Sequence, residues 1–213
     1  MKSTQEQLDA IQDMRNMMER SSRFLSLSGL SGVAIGIFAL MGVTVLYLKL
    51  DLHPLESGFR AILETTSPTF SNELFQFIIL DALIVLVGSL LAGTIMSINR
   101  SKKLNLPAWD SAAKRLLTNL MIPLVAGGLL CLIFIQKGQL EMLAPLTLLF
   151  YGLALVNASK YTVDEIRNLG ILQIILGLLA AWQTDFGLLC WAIGFGILHI
   201  GYGLFIHTKH QKQ

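Results

Sequence analysis

Asp81 and His199 are the two side chains whose position in the chain could support chemistry. Asp81 is the one carboxylate set well inside the long apolar stretch 72–99, and His199 lies deep in a second apolar stretch, 186–207. An ionisable residue inside an apolar run of this length is costly in lipid and marks a functional site by default. We therefore expect Asp81 to be a proton or cation site, or else one half of a structural ion pair. A direct Asp81–His199 pair is disfavoured, because at about 1.5 Å per residue their predicted depths differ by about 10 Å.

Each of these two residues has its own set of predicted neighbours. A polar cluster, or a small cavity open to the cytoplasm, is expected around His199, because buried polar groups in lipid must be satisfied by one another or by water. Ordinary hydrogen bonds between helices are the alternative. The residues expected at the level of His199 are Ser28, Ser31, Asn119, Asn157 and Gln173. The residues expected near Asp81 are Tyr47, Lys49, Gln136, Lys137 and Gln183.

The composition predicts that most of the chain lies in a membrane. Of its 213 residues, 54% are hydrophobic and only 14% are charged, whereas soluble domains average about 25% charged residues. Runs of about 20 apolar residues are long enough to span a bilayer as helices. The expected fold is an all-α polytopic membrane helical bundle whose six spans cover residues 24–48, 74–98, 116–135, 142–159, 166–183 and 186–207.

The polar segments outside these spans carry further signals. Residues 1–23 are polar but have apolar residues at helical spacing, which predicts a short cytoplasmic amphipathic helix. The long connection 49–73 contains Phe59, Ile62 and Leu63 at helical spacing, so a short interfacial helix is expected there. Within the first span, Gly32 and Gly36 form a GxxxG pattern, which predicts close packing on a neighbouring helix. Residues 208–213 are expected to form a polar cytoplasmic tail.

The distribution of basic residues predicts the orientation of the chain. If six spans alternate, thirteen of the sixteen lysines and arginines lie on one side of the membrane. Loops rich in lysine and arginine stay in the cytoplasm, so both termini are expected there. The net charge of +2 is too small to imply a nucleic-acid partner. The expected partners are the lipid bilayer itself and either another membrane protein or a second copy of the chain.

No catalytic, nucleotide-binding or metal signature is present in the sequence. Cys131 and Cys190 both lie in apolar runs without a CxxC pattern, and His199 is the only histidine deep in a span. We therefore expect no cofactor and no enzymatic activity, with a membrane-lipid enzyme as a minor alternative.

Three phrases resemble segments of an uncharacterised family of bacterial multi-pass membrane proteins. They are MERSSRFLSLSGLSG (residues 18–32), EIRNLGILQIILGLLA (165–180) and GFGILHIGYG (194–203). The resemblance implies a bacterial inner-membrane protein with no known activity and brings no catalytic residues. The function expected from the sequence is that of a non-enzymatic membrane subunit or regulator. The alternative is a small solute or proton-coupled transporter or channel that uses Asp81 or the His199 cluster.

Overall fold

The computed structural model describes residues 29–53, 59–66, 68–69, 72–104 and 109–211. These residues form helices and turns without a strand, and six of the helical segments are long and apolar enough to cross a membrane. The prediction of an all-α membrane bundle with six spans is confirmed. The chain is a multi-pass membrane protein. The amphipathic helix predicted for residues 1–23, and Ser28, lie outside the described residues.

The helical segments are named here in chain order. Helices α1 to α4 are Gly29–Leu50, Phe59–Thr65, Glu73–Lys103 and Ser111–Gln136. After a 3₁₀ turn at Leu140–Met142 come α5, Leu143–Ala158, and α6, Glu165–Trp182. The last span follows the 3₁₀ turn Thr184–Phe186 and consists of α7, Gly187–Trp191, a π-helical segment, Ala192–Leu198, and α8, His199–Gln211.

Side-chain caps set where two of the spans begin. The Asn72 side chain accepts a hydrogen bond from the Phe75 amide at 3.0 Å, and the Asp110 side chain accepts one from the Ala113 amide at 2.7 Å. Such bonds satisfy amides that have no partner within the helix. Helix α3 extends to Lys103, five residues beyond the predicted end of the span at residue 98, because lysine and arginine are good helix formers. Helix α8 likewise continues to Gln211, into the predicted polar tail.

The spans pack as a row whose order differs from their order in the chain. Helix α1 lies between α3 and the last span, the last span contacts α6 and α5, and α5 packs against both α6 and α4. The row therefore reads α3, α1, last span, α6, α5, α4. Its two end helices are the most exposed of the six spans. Only 11% of the residues in an 18-residue apolar stretch of α3 are buried, and only 6% in the corresponding stretch of α4.

Glycines bring the central helices into backbone contact. A Cβ atom added to Gly29 would stand 2.5 Å from the Gly203 carbonyl oxygen, and one added to Gly152 would stand 2.6 Å from the Gly170 carbonyl oxygen. Distances this short leave no room for any side chain. The predicted small-residue face of the first span belongs to the same interface, because Gly36 lies against the Gly196 carbonyl. Helix α1 thus packs on the last span of its own chain.

Helix α2 covers one end of the bundle. It contacts the 3₁₀ turns Leu140–Met142 and Thr184–Phe186, and the buried side chains of Phe59 and Leu63 face inward. The short helix predicted from the spacing of its apolar residues is therefore present. The connection that contains α2 and the two turns therefore lie on the same side of the molecule, together with the ends of the spans that they join.

Candidate functional site

His199 lies at the centre of a buried polar network within the last three spans of the chain. Its side chain is only 3% exposed. Its Nε2 atom is 2.8 Å from the Tyr151 hydroxyl of α5, and its Nδ1 atom is 2.9 Å from the Gly194 carbonyl oxygen in the π-helical segment. Both ring nitrogens therefore have a partner, and the network connects α5 to the last span.

The partners of His199 fix its protonation in this network. A carbonyl oxygen only accepts hydrogen bonds, so Nδ1 must carry the proton that is donated to Gly194. A second proton on the ring would bury a charge without a counter-charge, which is costly, so Nε2 is an acceptor and receives the Tyr151 hydroxyl proton. The imidazole is thus neutral with both nitrogens satisfied. This arrangement stabilises the packing of the helices and leaves no free nitrogen for a ligand.

Gln173 extends the network to α6. Its Nε2 atom donates to the same Gly194 carbonyl at 2.8 Å, and its side chain is fully buried. The 3.5 Å separation between Gln173 Nε2 and His199 Nδ1 joins two donors, so it contributes no bond. Gln173 Oε1 has no hydrogen-bond partner within the described residues. This oxygen is 2.5 Å from the position that a Cβ atom on Gly194 would occupy, which explains why position 194 holds a glycine.

The π-helical segment shapes the aromatic wall of this site. π-Helical turns are rare and interrupt the regular ladder of helix hydrogen bonds, often at functional positions. Here the segment carries Phe195, whose ring centroid is 5.8 Å from that of His199 in a stacked arrangement and 4.9 Å from that of Tyr151. Trp191 packs on the other side of Phe195 at 4.7 Å. The rings enclose the polar network in an apolar shell.

The other residues predicted near His199 bond elsewhere. Asn157 donates to the backbone oxygen of Asn119 at 2.9 Å, and Asn119 donates to the backbone of Arg115 at 2.8 Å. The first bond joins α5 to α4 at the far end of the row, and the second lies within α4. Ser31 is a buried residue of α1, whereas the ring nitrogens of His199 bond to Tyr151 and Gly194. Tyr151 was not among the predicted residues, because a single tyrosine in an apolar run carries no sequence signal of its partner.

Asp81 lies in the interface between α3 and α1. Its carboxylate oxygens are 3.2 Å and 3.5 Å from the position that a Cβ atom on Gly42 would occupy, and the side chain remains partly exposed. Within the described ranges it forms no hydrogen bond and no ion pair. The alternative of a structural Lys49–Asp81 pair is wrong, because the Lys49 ammonium group lies over the Phe77 ring, 5.5 Å from its centroid. Asp81 is thus an unpaired carboxylate on an end helix of the row.

Comparison with known proteins adds no relative. The chain matches no family model, no curated protein and no solved structure. Its class is therefore defined by its own fold, a multi-pass helical membrane bundle with a buried polar network around His199 and an unpaired carboxylate, Asp81, within a span.

Proposed function

We propose that this chain is a non-enzymatic membrane subunit or regulator that binds another membrane protein through α3. The observation that carries the proposal is the unpaired carboxylate of Asp81 on α3, one of the two most exposed spans, at one end of the row. His199, the other predicted site, is buried, and both of its ring nitrogens have hydrogen-bond partners. Asp81 on α3 is therefore the predicted site that remains available to a partner.

The energetics of lipid burial support this contact. An aspartate at the centre of a membrane helix costs about 2.5–3.5 kcal/mol on insertion scales. Asp81 is eight residues from the start of α3, roughly 12 Å along the helix axis at about 1.5 Å per residue. A basic side chain from a partner helix would offset this cost by forming an ion pair in a low-dielectric surrounding. Exposed apolar residues of α3 would form the remainder of the contact: Leu83, Ile84, Leu86, Val87, Leu90 and Leu91.

Replacing Asp81 by leucine is expected to lower the amount of co-purified partner at least tenfold, because the ion pair is lost. The measurement is native mass spectrometry of the protein gently extracted from its own membrane, with the bound polypeptide identified and quantified. The matched control is Thr94→Leu, which also removes a polar group from an exposed position of α3 and should leave the partner bound. Equal retention of the partner by Asp81→Leu and by the wild type would contradict the proposal.

The same carboxylate favours one alternative function, a small solute or proton-coupled transporter or channel. An unpaired aspartate in lipid takes up a proton readily, which is the chemistry of a proton-coupled site. The substitution Asp81→Asn separates the two functions. It keeps the shape and polarity of the side chain, so a proton-dependent flux in proteoliposomes would be abolished. If the chain is instead a subunit that binds its partner through charge, Asp81→Asn would weaken partner binding. In that case the wild type would show no proton-dependent flux.

We further propose that the protein lies in a bacterial cytoplasmic membrane with both termini in the cytoplasm. The basic residues support this orientation, since the end of the bundle that α2 covers holds Lys49, Arg60 and Lys137, and eight further basic residues of the described chain lie toward the other end. In a variant lacking Cys131 and Cys190, the substitution Lys137→Cys should react with a membrane-impermeant maleimide in intact cells. Lys160→Cys should react only after lysis. The reverse pattern would overturn the proposed orientation.

A further inference from the structure

A groove lies at the end of the bundle that α2 covers, between the end of α1 and the start of α3. It is an open depression with a volume of about 500 Å³, lined by Lys49, Leu50, Ile62, Asn72, Glu73 and Leu74. Its lining thus combines one basic, one acidic and one amide side chain with three apolar ones. The groove also adjoins α1, whose exposed apolar residues continue from it along the span. A ligand here would have a polar head at the helix ends and room for an apolar tail beside α1.

The polar groups of the groove are available for a ligand. Within the described residues, Lys49 forms no ion pair, and its ammonium group lies over the Phe77 ring, 5.5 Å from the ring centroid. Glu73 lies in the first turn of α3 and is exposed, without a hydrogen bond or an ion pair to the described chain. Asn72 uses its side-chain oxygen to cap α3, so both N–H bonds of its amide group remain to donate.

We propose that this groove binds the headgroup of a phospholipid that carries a primary amine, as phosphoethanolamine does. The phosphate would accept charge-assisted hydrogen bonds from Lys49 and from the Asn72 amide group. The primary ammonium group would donate to the Glu73 carboxylate. The acyl chains would lie along the exposed side chains of Met41, Val45 and Leu48 on α1, which leaves the partner-binding face of α3 free.

The pair of opposite charges determines which headgroup is preferred. A purely anionic headgroup would place its negative charge near Glu73 without a cation to neutralise that carboxylate. A choline headgroup carries a cation but has no N–H to donate, so the hydrogen bond to Glu73 would be lost. Lys49 suits a position at the membrane boundary, since a lysine keeps its charge among headgroups while its stem lies on apolar surface.

The test is lipid retention by the full-length protein in nanodiscs that contain equal parts of phosphatidylethanolamine, phosphatidylcholine and phosphatidylglycerol. Native mass spectrometry after release from the nanodisc should show phosphatidylethanolamine retained at least fivefold over each of the other two. Lys49→Gln should lower the retention of all three lipids. Glu73→Gln should keep lipid binding but remove the preference for the primary amine.

The matched control is Lys137→Gln, which removes an exposed lysine outside the groove and should leave the preference unchanged. Soluble phosphoethanolamine is added in a separate arm. Displacement of the lipid by this compound at millimolar concentration would identify the headgroup as the recognised part, whereas no displacement would assign recognition to the lipid as a whole. Equal retention of the three lipids by the wild type, or an unchanged preference in Glu73→Gln, would overturn the proposal.

Discussion

Replacing Gly203 by alanine is expected to separate α1 from the last span and to destabilise the whole bundle. A Cβ atom at Gly203 would stand 2.6 Å from the Gly29 carbonyl oxygen and 2.7 Å from the Val33 amide nitrogen. Both atoms belong to the backbone, so no side-chain rotation relieves the contact. Overpacking of this kind costs about 1–3 kcal/mol, which corresponds to a fall in Tm of roughly 2–12 °C for a chain of this size. Thermal unfolding of the purified protein in one detergent measures the change.

Gly201→Ala is the matched control on the same helix. No atom lies within 4 Å of the position that a Cβ on Gly201 would occupy. Alanine favours helix more than glycine by roughly 1 kcal/mol, so Gly201→Ala should keep or slightly raise the Tm. A similar fall in Tm in both variants would contradict the prediction. It would show that the substitutions disturb helix α8 itself and not its contact with α1.

The second large effect is expected at the polar network, on replacement of His199 by leucine. The Tyr151 hydroxyl would lose its acceptor inside the apolar shell, and an unsatisfied buried donor costs about 1–3 kcal/mol. Tyr151→Phe should cost less, about 0.6 kcal/mol, which is the average for hydrogen bonds between membrane helices. The free energy of unfolding is measured by titration with a denaturing detergent from mixed micelles.

The double variant, Tyr151→Phe with His199→Leu, tests whether these two side chains act together. Once the hydroxyl is gone, the loss of the imidazole leaves no orphaned donor at position 151. The double variant should therefore be more stable than the sum of the two single changes predicts. Thr208→Val serves as the control, since the Thr208 hydroxyl bonds only to carbonyls of its own helix. Strict additivity would contradict the Tyr151–His199 hydrogen bond.

Hydropathy alone was sufficient to predict the six spans, but not the order in which they pack. The apolar runs have to form helices because lipid satisfies no backbone group, and this holds whatever the neighbours are. The contact between α1 and the last span depends on which glycine faces meet. Several spans carry such glycines, among them Gly36, Gly152 and Gly177. The presence of small residues alone therefore does not determine which span packs on which.

The candidate site could be predicted only in part, for a related reason. Depth along a helix follows from residue counting, so the sequence placed Gln173 and His199 at the same level. The direction in which a side chain faces does not follow from counting when a helix is apolar on every side. Asn119 and Asn157 share a level, but the Asn157 amide donates to the Asn119 backbone oxygen and the Asn119 amide donates to the Arg115 backbone oxygen of its own helix. Tyr151 enters the network through His199 Nε2, and His199 directly follows a π-helical segment that the sequence did not indicate.

The position of α1 between α3 and the last span has a consequence for how the protein is made. Gly29 and Gly203 touch in the finished bundle, yet a ribosome adds roughly 5–20 residues per second. The first span therefore leaves the ribosome roughly 10–35 s before its partner is synthesised. During that interval its glycine face must rest against lipid, a chaperone or the insertion machinery. A ribosome that stalls before the last span would release a chain that has all of its earlier spans and no partner for the first.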